Sequence, residues 1–140
     1  MENLPDTIPL PFSTNAKSKR PTLKLTGRDL RVTYGGALPE HARVHVAVMF
    51  KEVLALEYCD GTCVSADHVV DSDSITVRAT SDWLAEVLRV WDNRYGRTEF
   101  QLSKGGNKRF KHYQMYFEDF CGIQLIGSSC EVRTEEEPLV

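Results

Sequence analysis

The stretch from Asp73 to Gly127 decides the fold, because its predicted elements follow one another in a strict order. Ser74-Ile-Thr-Val-Arg-Ala79 alternates like a β-strand and leads into Thr80-Ser-Asp-Trp-Leu-Ala-Glu-Val-Leu-Arg-Val-Trp-Asp-Asn-Arg-Tyr-Gly96, where apolar residues recur with helical spacing. Thr98-Glu-Phe-Gln-Leu-Ser103 is a second strand, and a Gly-rich turn with a long aromatic strand follows over 104–117. This order predicts an antiparallel sheet packed by one helix.

The helix, predicted over about 81–95, carries start and stop signals as well as an apolar face. Thr80 or Ser81 can cap the free N–H groups of its first turn, and Gly96 supplies the left-handed residue that ends many helices. Its apolar face consists of Trp83, Leu84, Val87, Leu88 and Trp91. Because two tryptophans on one face bury a large area, we expect this helix to plug the sheet.

Short alternating segments fill the part of the chain before the helix. Residues 22–34 predict one or two strands with a turn at Gly27, and 43–50 predicts a strand dense in β-branched residues. Residues 51–58 fit either a strand or a helix. We therefore expect an α+β, mainly β fold: a split antiparallel β-barrel or sandwich packed by one amphipathic helix.

Composition gives the boundaries of the domain. Four of the six prolines lie within 1–21, which predicts an extended N-terminal arm. A single β-rich domain is expected over 22–134, and an acidic tail over 135–140. The length of 140 residues and the hydrophobic share of 41% fit one globular domain. No run of about 20 apolar residues or signal peptide is apparent, so we expect no membrane contact and reduced cysteines.

Three apolar residues in the arm, Ile8, Leu10 and Phe12, are spaced by two, which is unusual for a solvated tail. An arm that places these side chains in a groove of a neighbouring copy would account for them. A mobile N-terminus is the alternative interpretation.

Charge is distributed in blocks although the net charge is only −3. Every charge from Glu52 to Asp73 is acidic, and Asp60 and Asp67 lie in this block. A basic cluster near residue 105 includes Lys104, Lys108 and Arg109. Complementary blocks on a small domain favour contacts between copies, and solvated faces are the alternative.

Residues 104–113 combine basic and aromatic side chains, so we also consider a small nucleic-acid-binding module. Lys108, Arg109 and neighbouring lysines would contact phosphates, while Phe110 and Tyr113 would stack on bases. The acidic pI of about 5.8 argues against a broad phosphate-binding surface.

A metal site is the third alternative, with the ligand series Cys59-x3-Cys63-x4-His68. This spacing differs from the usual C-x2-C of zinc sites, and a second ligand pair is missing, so structural thiols are favoured. No Gly-x-Ser-x-Gly, phosphate loop or dinucleotide loop occurs. We therefore expect no enzymatic activity, catalytic residues, metal or cofactor.

The block from 73 to 127 resembles the C-terminal half of phage tail-tube proteins of the contractile-tail type, and related baseplate and secretion-tube proteins. The resemblance lies in the order of elements and in a sparse residue pattern, which covers about two-fifths of the chain. The matching positions are Asp82 through Leu88 with Trp91, Lys104 to Asn107, Tyr116-Phe-Glu118, Gly122 and Ile123-Gln-Leu125. The proline that usually follows the Phe-Glu-Gly turn, and the final aromatic strand, are missing.

The resemblance implies a structural virion protein, either a tube subunit or a tube-like cap, connector or terminator. Such a subunit assembles in the host cytoplasm into rings, expected to be hexamers, which stack into the tail. Its partners would be itself, other phage tail proteins, and DNA that passes through without specific binding. The contact residues expected between subunits are Ile8, Leu10, Phe12, Asp60, Asp67, Lys104, Lys108 and Arg109.

Overall fold

A computed structural model describes residues 6–11, 21–35, 44–60, 74–95, 110–117 and 121–136. The elements in these ranges are nine strands and one helix, in an order that follows the chain. They are β1 (Asp6–Pro9), β2 (Thr22–Thr26), β3 (Asp29–Gly35), β4 (Val44–Lys51), β5 (Ala55–Asp60), β6 (Ser74–Arg78), α1 (Asp82–Tyr95), β7 (Lys111–Phe117), β8 (Cys121–Gly127) and β9 (Ser129–Glu136).

The strands form two antiparallel sheets. The five-stranded sheet has the order β1-β6-β7-β8-β5, and the four-stranded sheet has the order β2-β3-β4-β9. Alternation explains their pairing, since apolar residues on one side of each strand meet apolar residues of the next. In the four-stranded sheet, for example, Val32 lies opposite Val48, which lies opposite Val132.

The main core lies between the two sheets. Tyr34 and Phe50 come from the four-stranded sheet, and Tyr113 and Phe117 from the five-stranded sheet. The Tyr34 and Phe117 rings meet edge to face at 5.4 Å, and the Phe50 and Tyr113 rings lie tilted at 5.4 Å. These separations are typical of favourable aromatic pairs, so the large rings join the sheets directly.

The chain passes between the sheets at a corner formed by residues 51–55 and 127–129. Glu52 has a positive φ of 50°, which turns the strand sharply. The amide of Ser128 donates to the Lys51 carbonyl at 2.9 Å, and the amide of Leu54 donates to the Ile126 carbonyl at 2.8 Å. The chain thus passes from β4 to β5 and from β8 to β9 at the same corner. Backbone hydrogen bonds hold these two connections together.

Helix α1 packs on the outer side of the five-stranded sheet, away from the main core. Leu84 and Leu88 are buried there against Phe110 and Ile126 in a second, smaller apolar cluster. The helix was predicted correctly in extent, but it does not occupy the space between the sheets as a plug. The two sheets fill that space with their own side chains, and the tryptophans of α1 are only half-buried.

The expected fold class is confirmed: a mainly β structure with two antiparallel sheets and one helix. Within the described part of the chain the sheets form a sandwich and do not close into a barrel. The turn expected at Gly27 is present, with a φ of 62° that glycine adopts without strain. The strand expected over 43–50 is β4, and part of the ambiguous segment 51–58 is strand β5.

Two of the expected boundaries differ from the structure. Asp6–Pro9 pairs with β6, so this part of the Pro-rich arm belongs to the five-stranded sheet. At the other end, β9 runs to Glu136 and includes the first residues of the expected acidic tail. An ion pair accounts for this longer strand, because Arg31 donates to both carboxylate oxygens of Glu135 at 2.6 and 2.5 Å.

Candidate functional site at the sheet edges

Among the described residues, four strands lie at the ends of the two sheets: β1 and β5 in one, and β2 and β9 in the other. An end strand has one row of backbone N–H and C=O groups without a neighbouring strand, so it is a template for pairing with another chain. The side chains of the four end strands therefore decide which edges are open to association. The four end strands differ strongly in whether their side chains favour or oppose such pairing.

Strand β5 carries two large apolar side chains that remain exposed. Leu56 is 40% exposed and Tyr58 is 44% exposed. Their partners in β8, Leu125 and Ile123, are buried in the main core. Leu56 and Tyr58 thus lie on the core-facing side of the sheet, at an edge where the four-stranded sheet leaves them partly uncovered.

Strand β2 presents a similar edge on the four-stranded sheet. Leu25 is 58% exposed, although its partner Leu30 in β3 is fully buried. Lys24, between Leu23 and Leu25, is exposed on the opposite side of the strand. Neither β2 nor β5 contains a proline, and each contains an apolar residue exposed on its core-facing side.

The other two edges are protected. Strand β1 has four residues and ends at Pro9, which has no N–H to donate to an added strand. Strand β9 alternates charged residues, with Arg133 paired to Glu131 at 2.9 Å and Glu135 held by Arg31. The Arg31 hydrogen bonds keep the pKa of Glu135 below its ordinary value. Charged, short or proline-containing edges discourage pairing with another chain.

The outer side of the five-stranded sheet bears a row of polar side chains, which we call the polar row. Its members lie directly opposite one another across all five strands: Thr7, Thr76, Gln114, Gln124 and Glu57. Gln124 Nε2 donates to Glu57 Oε1 at 3.0 Å, and Gln114 Nε2 donates to Gln124 Oε1 at 3.3 Å. Arg78 Nε donates to Gln114 Oε1 at 2.9 Å.

The polar row is connected to helix α1 through His112. Its Nε2 lies 2.8 Å from Gln124 Oε1, and its Nδ1 lies 2.8 Å from Ser81 Oγ. Because Gln124 Oε1 can only accept, Nε2 carries the proton, and in the neutral imidazole Nδ1 then accepts from the Ser81 hydroxyl. Ser81 Oγ in turn accepts the Leu84 amide proton at 3.0 Å, which makes it the helix cap.

This Ser–His–Gln–Glu arrangement places a hydroxyl next to an imidazole nitrogen, as in sites of nucleophilic catalysis. The observed contacts attach helix α1 to the five-stranded sheet, because Ser81 caps α1 and the Trp83 ring packs edge-on against His112 at 5.0 Å. A small pocket nearby is lined by Glu57, Cys59, Gln114, Met115, Gly122, Ile123 and Gln124. It lies at the Glu57 end of the polar row and not at Ser81.

The contact residues predicted from sequence fall into three groups. Ile8 and Leu10 are partly buried against the main core of their own chain, which accounts for their spacing without a neighbour. Asp60 is the last residue of β5, opposite Cys121. The others lie outside the described residues; they are Phe12, Asp67, Lys104, Lys108 and Arg109.

The structure also bears on the alternative sites. Phe110 and Tyr113 are each only 4% exposed, so the prediction that they stack on bases is wrong. Phe110, just before β7, packs in the smaller cluster under α1, and Tyr113 packs in the main core. Cys63 and His68 lie outside the described residues, and among the described ones no three potential ligands cluster as a metal site would require. Cys121 is buried, and Cys59 and Cys130 are partly buried.

Sequence reasoning missed Leu56 and Tyr58, the residues that distinguish the β5 edge. The reason is that the pattern of residues 51–58 fits either a strand or a helix. A usable signal was present, since Leu56 and Tyr58 flank Glu57 with strand spacing. That pattern predicts a strand with one apolar side, but it does not say whether the apolar side is covered.

No helix in the described part of the chain has the length and apolarity needed to cross a bilayer. Comparisons of the chain with profiles of known families, with curated proteins and with solved structures found no match.

Proposed function

We propose that the protein is a structural subunit that assembles with copies of itself, of the tail-tube type found in phage virions. In this role its rings would form a conduit through which DNA passes without specific binding. The observation that carries the proposal is the open β5 edge, where Leu56 and Tyr58 expose the core-facing side of the sheet. A second copy that covers this edge would remove that apolar surface from water.

The sequence pattern over 73–127 supports the tail-tube assignment within this class. Of the elements expected in that block, strand β6, helix α1 and the aromatic strand β7 occur in the expected order, and the strand expected over 98–103 lies outside the described residues. The number of subunits in a ring, the phage tail as location and the other tail proteins as partners rest on the resemblance. These are the parts of the proposal that imaging would test first.

The size of the apolar edge sets the expected strength of assembly. Stable interfaces bury roughly 800 Å² on each partner, and two half-exposed side chains supply only a fraction of that area. Backbone pairing along the edge and further contacts must contribute the rest. We therefore expect assembly to depend on protein concentration, with rings favoured at high concentration.

Negative-stain electron microscopy and sedimentation velocity on the full chain test the proposal. We expect rings or short tubes whose population increases with concentration. Tyr58→Lys should reduce assembly, because a lysine on an edge strand opposes pairing with another strand. Val90→Lys is the matched control, since Val90 is 52% exposed and lies on α1, which belongs to neither sheet.

A monodisperse monomer at all concentrations would contradict the proposal. Equal assembly of the Tyr58→Lys and Val90→Lys variants would show that the β5 edge is not the surface involved. Both outcomes can be separated from misfolding, because the far-ultraviolet spectrum of each variant reports whether the β-sandwich is retained.

A further inference from the structure

We infer that the β2 edge of one copy pairs with the β5 edge of the next copy, antiparallel and with Lys24 opposite Glu57. This inference rests on the proposed self-assembly and specifies its strands and its register. The five-stranded sheet of one copy would thereby continue into the four-stranded sheet of its neighbour.

The choice of strands follows from the properties of the four edges. Pro9 in β1 and the charged residues of β9 discourage pairing at those edges. Strands β2 and β5 are of similar length, five and six residues, and both expose leucine on their core-facing sides. The two strands also carry exposed charges of opposite sign, because Lys24 lies at the centre of β2 and Glu57 lies within β5.

The register follows from the alternation of side chains. Placing Lys24 opposite Glu57 puts both charged groups on the outer side of the joined sheet. The same register places Leu25 opposite Leu56, on the core-facing side. It likewise places Leu23 opposite Tyr58. A slip of one residue would turn the apolar residues of one strand toward solvent, and a slip of two residues would separate Lys24 from Glu57.

The antiparallel direction is favoured because every strand pair described in this molecule is antiparallel, and antiparallel pairs are slightly more stable per residue. Pairing of β5 with a second β5 is less favourable. The register that brings Leu56 opposite Tyr58 there would also bring Glu57 opposite Glu57, and like charges directly opposite one another repel. Unlike edges give a head-to-tail contact, which closes into rings or extends into filaments.

A charge exchange tests the Lys24–Glu57 pair. We expect Lys24→Glu and Glu57→Lys each to raise the concentration needed for assembly by about tenfold, since each places like charges opposite one another. The double variant restores the attraction with the signs reversed. We therefore expect it to assemble at a concentration within about threefold of that needed by the original protein. Sedimentation velocity over a concentration series at low salt measures these shifts. Failure of the double variant to recover, while both single variants remain folded, would overturn the pairing.

Cysteine crosslinking tests the register independently of stability. Opposed residues of an antiparallel pair have Cβ atoms about 4.5–5.5 Å apart, close enough for a disulfide after a small adjustment. A Leu25→Cys protein mixed with a Leu56→Cys protein should give a crosslinked dimer whose 25–56 peptide pair is identified by mass spectrometry. A Val90→Cys protein mixed with Leu56→Cys should give no such product.

The outcomes separate this inference from the proposed function. A 25–56 crosslink supports the inference. A crosslink between Leu23→Cys and Leu56→Cys instead would indicate parallel strands, and would overturn it. Rings that form without either crosslink would overturn the inference and leave self-assembly standing. Absence of any oligomer would overturn both.

Discussion

The two sides of the five-stranded sheet are buried by different means. On the core-facing side of β7, Tyr113, Met115 and Phe117 pack into an apolar layer between the sheets. On the outer side of the same strand, His112 and Gln114 are equally inaccessible but are polar and hydrogen-bonded. On the apolar side, the effect of a substitution on stability depends mainly on the change in side-chain volume. On the outer side, stability depends on each hydrogen-bond donor having an acceptor.

The largest effect is expected in alkali, from two groups that pack in the apolar layer between the sheets. Burial raises the pKa of the Cys130 thiol from 9.0 to about 12. Burial, with a smaller effect from Cys130, raises the pKa of Tyr113 from 10.0 to about 12. Both folded-state pKa values exceed the ordinary ones, so folding favours the protonated groups. Their contribution to stability is complete below about pH 9 and is lost as the pH rises toward 12.

Urea unfolding at pH 8, 9.5 and 11 measures this loss as a decrease in the free energy of unfolding. Cys130→Ala provides the control, because it removes the part of the decrease that begins near pH 9 and retains the part due to Tyr113. A free energy of unfolding that is unchanged to pH 11 in the original protein would contradict the burial of these two groups.

A change of volume on the apolar side comes next. Phe50→Ala removes a fully buried ring that packs against Tyr113. We expect a loss of about 3–5 kcal/mol in the free energy of unfolding, because the site can collapse only in part. Chemical denaturation at neutral pH measures it. Val90→Ala, at an exposed position on α1, should change the value by less than about 0.5 kcal/mol.

A smaller effect is expected for the outer side. Gln124→Leu keeps the size of the side chain but removes the acceptor for His112 and Gln114 and the donor to Glu57. We expect a loss of about 1–3 kcal/mol from groups left without partners. Glu57→Gln keeps an acceptor oxygen for Gln124 and should cost less. Equal effects of the two changes would mean that the polar row is not a connected network.

The smallest effect is expected where α1 meets the turn between β2 and β3. The guanidinium of Arg28 lies 4.9 Å from the centre of the Trp91 ring. Arg28→Met keeps much of the side-chain length but removes the charge, and should cost about 0.5–1 kcal/mol, as for exposed cation–π pairs. Arg89→Met, which breaks a fully exposed pair with Glu86, should cost less than Arg28→Met, because solvent screens that pair. Thermal unfolding of the two variants side by side resolves this difference.

Periodicity was sufficient to predict the class of the fold, the helix and several of the strands, but not strands β1, β8 and β9. The cap at Ser81, the alternation in β3 and β4, and the turn at Gly27 all depend on local interactions, and each occurs as expected. Local signals could not place the helix, because an apolar face does not specify which apolar surface it meets. Pairing of the two sheets by Tyr34, Phe50, Tyr113 and Phe117 left no space for α1 between them.

The candidate site was harder to predict, for a related reason. Exposure of Leu56 and Tyr58 is a property of the assembled sheets, since it depends on how far the four-stranded sheet extends over β5. The row from Thr76 through Gln114 and Gln124 to Glu57 depends on the register of four strands. Neither register nor coverage is encoded within one short segment, so single-sequence patterns do not reveal them.

The corner between the sheets has a geometric consequence for an assembly joined through β2 and β5. Those strands belong to different sheets, so the bend at Glu52 and Gly127 sets the angle between successive junctions. A Cβ added at Gly127 would lie 3.1 Å from the Lys51 carbonyl oxygen and 3.2 Å from Leu125 Cδ1, so the two strands approach closely here because residue 127 is glycine. In such an arrangement, the curvature of the wall, and with it the circumference, is determined by a few backbone angles inside each copy.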